Sequence, residues 1–142
     1  MTDRPAILFL CVHNAGRSQM AAGFARELGG NQVVVHSAGS APGEVLNPAV
    51  VEVMRERGID ISNEAPRNLT NEMGLSADVI VTMGCGDACP VYPGKRYFDW
   101  DLTDPTGQDI EVVRQIRDDI EQRVRSLLDD LLKFNSPAKV QQ

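Results

Sequence analysis

The sequence predicts an α/β fold, a doubly wound parallel four-stranded sheet with helices on both faces. Three observations predict it. Wholly apolar short runs recur where a half-exposed strand would alternate. Segments with helical spacing separate those runs, and Gly, Asn or Pro stands at the changes from one kind to the other. Strands alternating with helices need crossover connections, which are right-handed and lay the helices over the sheet.

Ala6 to Val12 is an unbroken apolar run, the pattern of a strand buried on both faces. Asn14-Ala15-Gly16 breaks it. From Arg17 to Leu28 the apolar residues Met20, Ala21, Phe24, Ala25 and Leu28 recur at helical spacing and stop at Gly29-Gly30. Val33 to Ser37 reads as a second strand, closed by Ala38-Gly39. Asn47-Pro48 opens a helix with Val50, Val51, Val53 and Met54 inside and Gly58 as its stop. Thr70 is placed to cap a short helix through Gly74, and Ala77 to Met83 is the third buried strand. Gly84 to Gly94 reads as a long loop, and Tyr97-Phe98 as a short last strand. Ile110, Val113, Ile116, Ile120, Val124, Leu127, Leu128 and Leu131 form one stripe of a long helix that covers a sheet face. Thr106, three residues before Asp109, resembles a capping box, and Asp119/Arg123 and Glu121/Arg125 are spaced as ion pairs on the wet face. Residues 1–134 are expected to form a single domain and residues 135–142 a flexible polar tail.

A chain of 142 residues holds one core. The formal charge of -6 argues against a nucleic-acid surface, because phosphate backbones are bound by excess Lys and Arg. No apolar run approaches the ~20 residues of a membrane span, and the first residues do not lead into a cleavable signal. A cytoplasmic location is expected. Three cysteines, an odd number, fit reactive thiols in a reducing compartment better than a disulfide framework.

In an open α/β sheet the ligand site lies beyond the C-terminal ends of the strands, and Cys11 and Cys85 both sit at such ends. Cys11-Val12-His13-Asn14-Ala15-Gly16-Arg17-Ser18 has the form C-x5-R-S. Following a buried strand and opening a helix, its backbone N–H groups converge on one point and favour an anion. Gly16 permits a backbone path that a side chain would obstruct. Arg17 supplies a planar fork for two oxygens of a tetrahedral oxyanion. The same field favours a Cys11 thiolate near neutral pH, with Ser18 as a donor to the sulfur and Asn14 bracing the loop. His13 reads equally as a mouth residue or as a plain loop residue, and His36 as structural.

Together with Ser37-Ala38-Gly39 and Asp104-Pro105, this loop resembles the low-molecular-weight tyrosine phosphatase superfamily. The stretch Cys11 to Ala21, with Val81-Thr82-Met83-Gly84-Cys85 and Cys89-Pro90, resembles more narrowly its arsenate reductase branch. The resemblance covers roughly residues 6 to 132. It implies reduction of arsenate to arsenite: Cys11 attacks arsenate, Cys85 displaces arsenite to form Cys11–Cys85, and Cys89 moves the disulfide to Cys85–Cys89. Thioredoxin, the external reductant in that branch, then reduces the pair, and no bound cofactor is implied. Cysteines four apart in a helical turn lie within disulfide range, roughly 6 Å between Cα atoms. Arsenate is the implied ligand of residues 12–18, and phosphate or sulfate can take the same place.

Asp104 matches the superfamily's general acid, with Asp99 and Asp101 as neighbouring competitors. Phosphatases of the superfamily commonly carry aromatic residues just after Asp-Pro; Thr106-Gly107 stand here. Trp100, Tyr92 and Tyr97 are candidates for the mouth, though packing roles suit them better. Some thioredoxin-coupled relatives bind potassium through a Glu on the first helix. Ala22 occupies that position, so no metal site is expected. The rival readings are a phosphatase of the same fold, a reductase coupled to mycothiol or glutathione, and a sugar-transport phosphocarrier with one phosphorylated cysteine.

Overall fold

The computed structural model describes residues 4–84 and 90–132. Its elements are β1 (Ala6–Cys11), α1 (Arg17–Gly29), a 3-10 turn (Gly30–Gln32), β2 (Val34–Gly39), α2 (Pro48–Glu56), α3 (Asn71–Ser76), β3 (Val79–Thr82), β4 (Arg96–Asp99) and α4 (Ile110–Leu132). The four strands form one parallel sheet in the order β2-β1-β3-β4. The first strand is thus central, flanked by the second and third. A crevice opens beyond its C-terminal end, where the winding reverses.

Both faces are covered, but unequally. Alternation along β1 sends Ile7, Phe9 and Cys11 into a large cluster with Met20, Phe24, Val53, Val113, Ile120 and Val124, drawn from α1, α2 and α4. Leu8 and Leu10 face the other way, into a smaller cluster with Ala38, Ala77, Ile80 and Tyr92 that Leu69 and Met73 help to close. Only the short α3 lies there among the described helices. The sulfur of Cys11 therefore belongs to the face that α1 covers, and the strand delivers it to the start of that helix.

Several local expectations are refined. Thr70 caps α3 by accepting from the Met73 N–H (3.2 Å), but the helix runs past Gly74 to Ser76. Asn47 caps α2 through the Ala49 N–H at 2.9 Å, with Pro48 in the first turn, and Gly58 ends the segment at φ +79°. The third strand is shorter than its apolar run: Ala77 and Met83 are buried but lie outside the ladder. Val51 is only partly buried.

Two corrections concern α4. The capping box does not form; the Thr106 hydroxyl donates to Asp104 Oδ1 at 2.8 Å instead. Glu121 does not lie on the wet face. It is buried, and it accepts from Arg57 as well as from Arg125, closing α2 against α4. The Asp119–Arg123 pair forms on the exposed face at 2.9 Å. The tail at 135–142 lies outside the described residues. Among the described residues no helix is long and apolar enough to cross a membrane.

Candidate active site

The loop from Cys11 to Gly16 is held from outside by its carbonyl groups. Cys11 O accepts from Ser40 N, Val12 O from Ala41 N, His13 O from Gly43 N, Ala15 O from Asn47 N and Gly16 O from Met20 N, at 2.9–3.3 Å. Asn14 O accepts from Gln19 Nε2 at 3.2 Å. With the carbonyls engaged, the loop's remaining polar resource is its N–H groups. No side chain caps the start of α1, so the first-turn N–H groups there remain available for an anion. The segment 40–47 can approach this closely because Gly39 lacks a side chain. A Cβ at Gly39 would lie 2.5 Å from Val12 O.

Cys11 is buried, and its Sγ lies 2.9 Å from Ser18 Oγ. Asn14 occupies one acceptor position of that hydroxyl. Its Oδ1 accepts from Arg67 N at 2.8 Å, so its Nδ2 faces Ser18 and donates to Oγ at 2.7 Å. The hydroxyl keeps its own proton, and Cys11 Sγ lies within its reach. A chain of hydrogen bonds thus runs from Arg67 N through Asn14 and Ser18 to Cys11. Asn14 is fully buried and the one non-glycine residue with positive φ, +52°, among the described residues.

The cavity in front of the sulfur holds about 20 Å³ and is lined by Cys11, His13, Ala15, Gly16, Arg17, Asn47, Asp104, Pro105 and Thr106. Arg17 is buried and enters it from α1, with Nη1 3.3 Å from Leu102 O and Nη2 3.7 Å from Asp104 Oδ2. Asp104 is the half-exposed partner on the far wall. Burial raises its proton affinity, but the Thr106 N–H and hydroxyl, then Arg17 and His13, outweigh it and hold the carboxyl below its ordinary range. Asp104 is therefore ionised at neutral pH in the absence of substrate. Pro105 closes the wall: a Cβ at Gly16 would meet its ring at 2.9 Å.

Of the residues singled out in the sequence, the pocket gathers Cys11, His13, Ala15, Gly16, Arg17 and Asp104. Asn14 and Ser18 stand behind the sulfur, and Val12 packs partly against the smaller core cluster. Cys85 and Cys89 lie outside the described residues. Asp99 is turned to Thr82 Oγ1 at 2.7 Å, and Asp101 is exposed outside the pocket. Among the described residues no Phe, Tyr or Trp lines the cavity. Trp100 is buried 6.1 Å from the Phe9 ring, Tyr92 packs in the smaller cluster, and Tyr97 receives the Tyr92 N–H on its hydroxyl. Ala22 is fully buried on α1.

Sequence reading missed four participants. Asn47 and Thr106 line the mouth, and Gly84 and Gln19 shape what lies around it. Asn47 looked like a helix cap only and Thr106 like a partner of Asp109. Gly84, at φ +88°, looked like loop punctuation.

Comparison with known proteins places this geometry. Residues 6–137 match the model of the low molecular weight phosphotyrosine protein phosphatase family. Over 132 residues the chain is 37% identical to arsenate reductase 2 of Staphylococcus saprophyticus, covering 90% of this chain and 99% of that protein. Over 125 residues it is 38% identical to a glutaredoxin arsenate reductase of Synechocystis, covering 86% and 95%. Among solved structures, a thioredoxin-dependent arsenate reductase of Corynebacterium glutamicum superposes with a TM-score of 0.78 at 41% identity, over 93% of this chain and 63% of that longer one. An arsenate reductase in its phosphate-binding state gives 0.80 at 35%, over 89% and 98%. An arginine phosphatase of Geobacillus stearothermophilus gives 0.80 at 28% identity, over 91% and 94%. With a family match across nearly the whole chain and a cysteine-arginine anion loop at the end of the central strand, this chain belongs to the low molecular weight phosphotyrosine protein phosphatase family.

Proposed function

We propose that the chain reduces arsenate to arsenite, with Cys11 as the attacking sulfur, Cys85 and Cys89 as successive resolving thiols and thioredoxin as the external dithiol. One observation carries the assignment: a buried sulfur, in hydrogen-bond contact with Ser18, lining a small cavity that Arg17 also lines at the start of α1. The names borne by its relatives support arsenate as that oxyanion. Among the described residues no Phe, Tyr or Trp lines the cavity, which disfavours an aryl phosphate as the guest.

In the first step the Cys11 thiolate bonds to arsenic(V) and an oxygen leaves as water. Asp104, ionised beforehand, gains proton affinity as an anionic substrate arrives beside it, so it takes a proton from the substrate and returns it to the departing oxygen. Arg17 and the loop N–H groups hold the remaining oxygens. Next, the Cys85 thiolate attacks Cys11 sulfur. The S–As electron pair passes to arsenic, which leaves as arsenite, and a Cys11–Cys85 disulfide remains. Cys89 then attacks Cys85 and frees Cys11, and thioredoxin reduces Cys85–Cys89 by the same exchange. Two electrons enter as thiols and leave on arsenic. Cys85 directly follows Gly84, which touches the Arg17 guanidinium, and this adjacency favours Cys85 as the first resolving thiol.

Arsenite formation with thioredoxin, its reductase and NADPH tests the proposal. Steady turnover is expected in the wild type and none in Cys11→Ser. Cys89→Ser is expected to give at most one turnover and to trap Cys11–Cys85 in a peptide map. Turnover of p-nitrophenyl phosphate without arsenate reduction would establish the phosphatase reading instead. Full turnover of Cys89→Ser with mycothiol or glutathione would transfer the reductant's role to a small thiol.

A further inference from the structure

Gln19 is the third residue of α1 and only 1% exposed. A buried carboxamide is costly unless its hydrogen bonds are made, so its contacts show what it is kept for. Its Nε2 faces three acceptors: Asn14 O at 3.2 Å, Asn14 Oδ1 at 3.1 Å and Ala65 O at 3.2 Å. Its Oε1 has no protein partner. The group is engaged only as a donor, and two of its three acceptors belong to one residue.

That residue is the strained point of the anion loop. Asn14 holds a left-handed backbone at φ +52°, a conformation disfavoured for a residue that carries a side chain. Its side chain must also keep Oδ1 toward Arg67 N and Nδ2 toward Ser18. Gln19 grips both the main-chain carbonyl and the side-chain oxygen, fixing the backbone and the amide orientation together. The effect passes through two hydrogen bonds, Asn14 to Ser18 and Ser18 to Cys11 Sγ. The contact to Ala65 O ties the same carboxamide to the segment that carries Arg67, the second donor to Asn14.

We propose that Gln19 is a positioning residue for the reaction: it locks Asn14 in the conformation that aims the Ser18 proton at Cys11, and so sets both the reactivity of the sulfur and the shape of the oxyanion loop. The inference rests on Cys11 being the attacking sulfur, but it does not require arsenate to be the substrate.

The test uses the full chain with Cys85→Ser and Cys89→Ser, so that Cys11 alone reports. The pH dependence of its alkylation by iodoacetamide is measured with and without Gln19→Met, which keeps the volume and removes the donor. The pH midpoint is expected to rise by about one unit, and protection by inorganic phosphate to weaken about tenfold. Adding Ser18→Ala should abolish most of the further shift due to Gln19→Met, because the effect travels through that hydroxyl. Gln19→Glu, which sets a carboxylate against three carbonyl oxygens, should shift the midpoint at least as far, and it provides a second reading should the Met variant unfold. An unchanged midpoint and unchanged phosphate protection in a folded variant would overturn the proposal, as would a shift of equal size in the Ser18→Ala background. A wild-type enzyme unable to reduce arsenate would sink the proposed function and leave this result standing.

Discussion

Gly84 lies against the guanidinium of Arg17, where a Cβ would come within 2.5 Å of Nη1. Its φ of +88° adds a backbone reason for glycine at the same position. Gly84→Ala is therefore expected to displace the end of the Arg17 side chain, which can yield, while α1 stays in place. The prediction is a rise of about tenfold in the dissociation constant for phosphate or arsenate, with a stability loss of about 1–2 kcal/mol. Calorimetric titration against thermal unfolding separates the two. Unchanged affinity would mean that Arg17 clamps the anion from a position that Gly84 does not constrain.

Gly39 makes the opposite case. The atom its Cβ would strike, Val12 O, is main chain in the anion loop and is already bonded to Ala41 N. Neither neighbour can rotate away. Gly39→Ala should cost about 3 kcal/mol of stability and take oxyanion binding with it, since the loop must move for the fold to survive. Urea unfolding checks this, and a loss below that of Gly84→Ala would contradict it.

These two glycines show what was legible in the sequence and what was not. The alternation of strands and helices, the helix that follows Cys11 and the Cys11–Arg17–Ser18 loop follow from apolar runs and one local motif, because apolar periodicity and helix starts are short-range physics. Contacts across the chain are a different matter. Glu121 reads as a wet-face partner of Arg125 by its i,i+4 spacing, yet Arg57, distant in sequence, draws it into the α2–α4 seam. Thr106 reads as a cap three residues before Asp109, but the pocket wall engages it first, on Asp104. Asn47 gives away its capping role and hides its place at the mouth. A local pattern names one partner for a side chain, and tertiary structure offers competitors that spacing does not reveal.

Asp104 is ionised in the resting site and faces Arg17 at 3.7 Å. In the proposed reaction its negative charge competes with an incoming oxyanion for the same guanidinium, while its proton serves the departing oxygen. Asp104→Asn should separate these effects. Phosphate binding at neutral pH is expected to tighten several-fold, and arsenate turnover to fall by about two orders of magnitude. Because the anion raises the proton affinity of a carboxyl that the free site holds below 3.8, the difference in binding should start to narrow as the pH falls toward the bound-state value and close fully only below 3.8. Parallel loss of binding and turnover would make Asp104 a scaffold residue.

Glu56, on the last turn of α2, joins that helix to α4 through Arg114 and Arg117. The hydrogen bond from Arg114 dominates; burial opposes it, and Arg117 with the charges of both guanidinium groups adds to it, lowering the carboxyl from 4.5 to about 2. A folded-state value below the unfolded one means that ionised Glu56 contributes stability above about pH 4.5 and loses that contribution as the pH falls toward 2. In Glu56→Gln each arginine loses one counter-charge, while Arg114 keeps Glu111 and Arg117 keeps Val53 O and Asp118. The variant should therefore be less stable than the wild type by a constant margin at neutral pH, and the margin should shrink across the interval from 4.5 to 2. Urea unfolding at stepped pH measures it. Salt should narrow the same margin at pH 7, because the carboxylate and Arg114 are both partly exposed to screening ions. A margin indifferent to both pH and salt would assign the loss to packing between α2 and α4 instead of to charge.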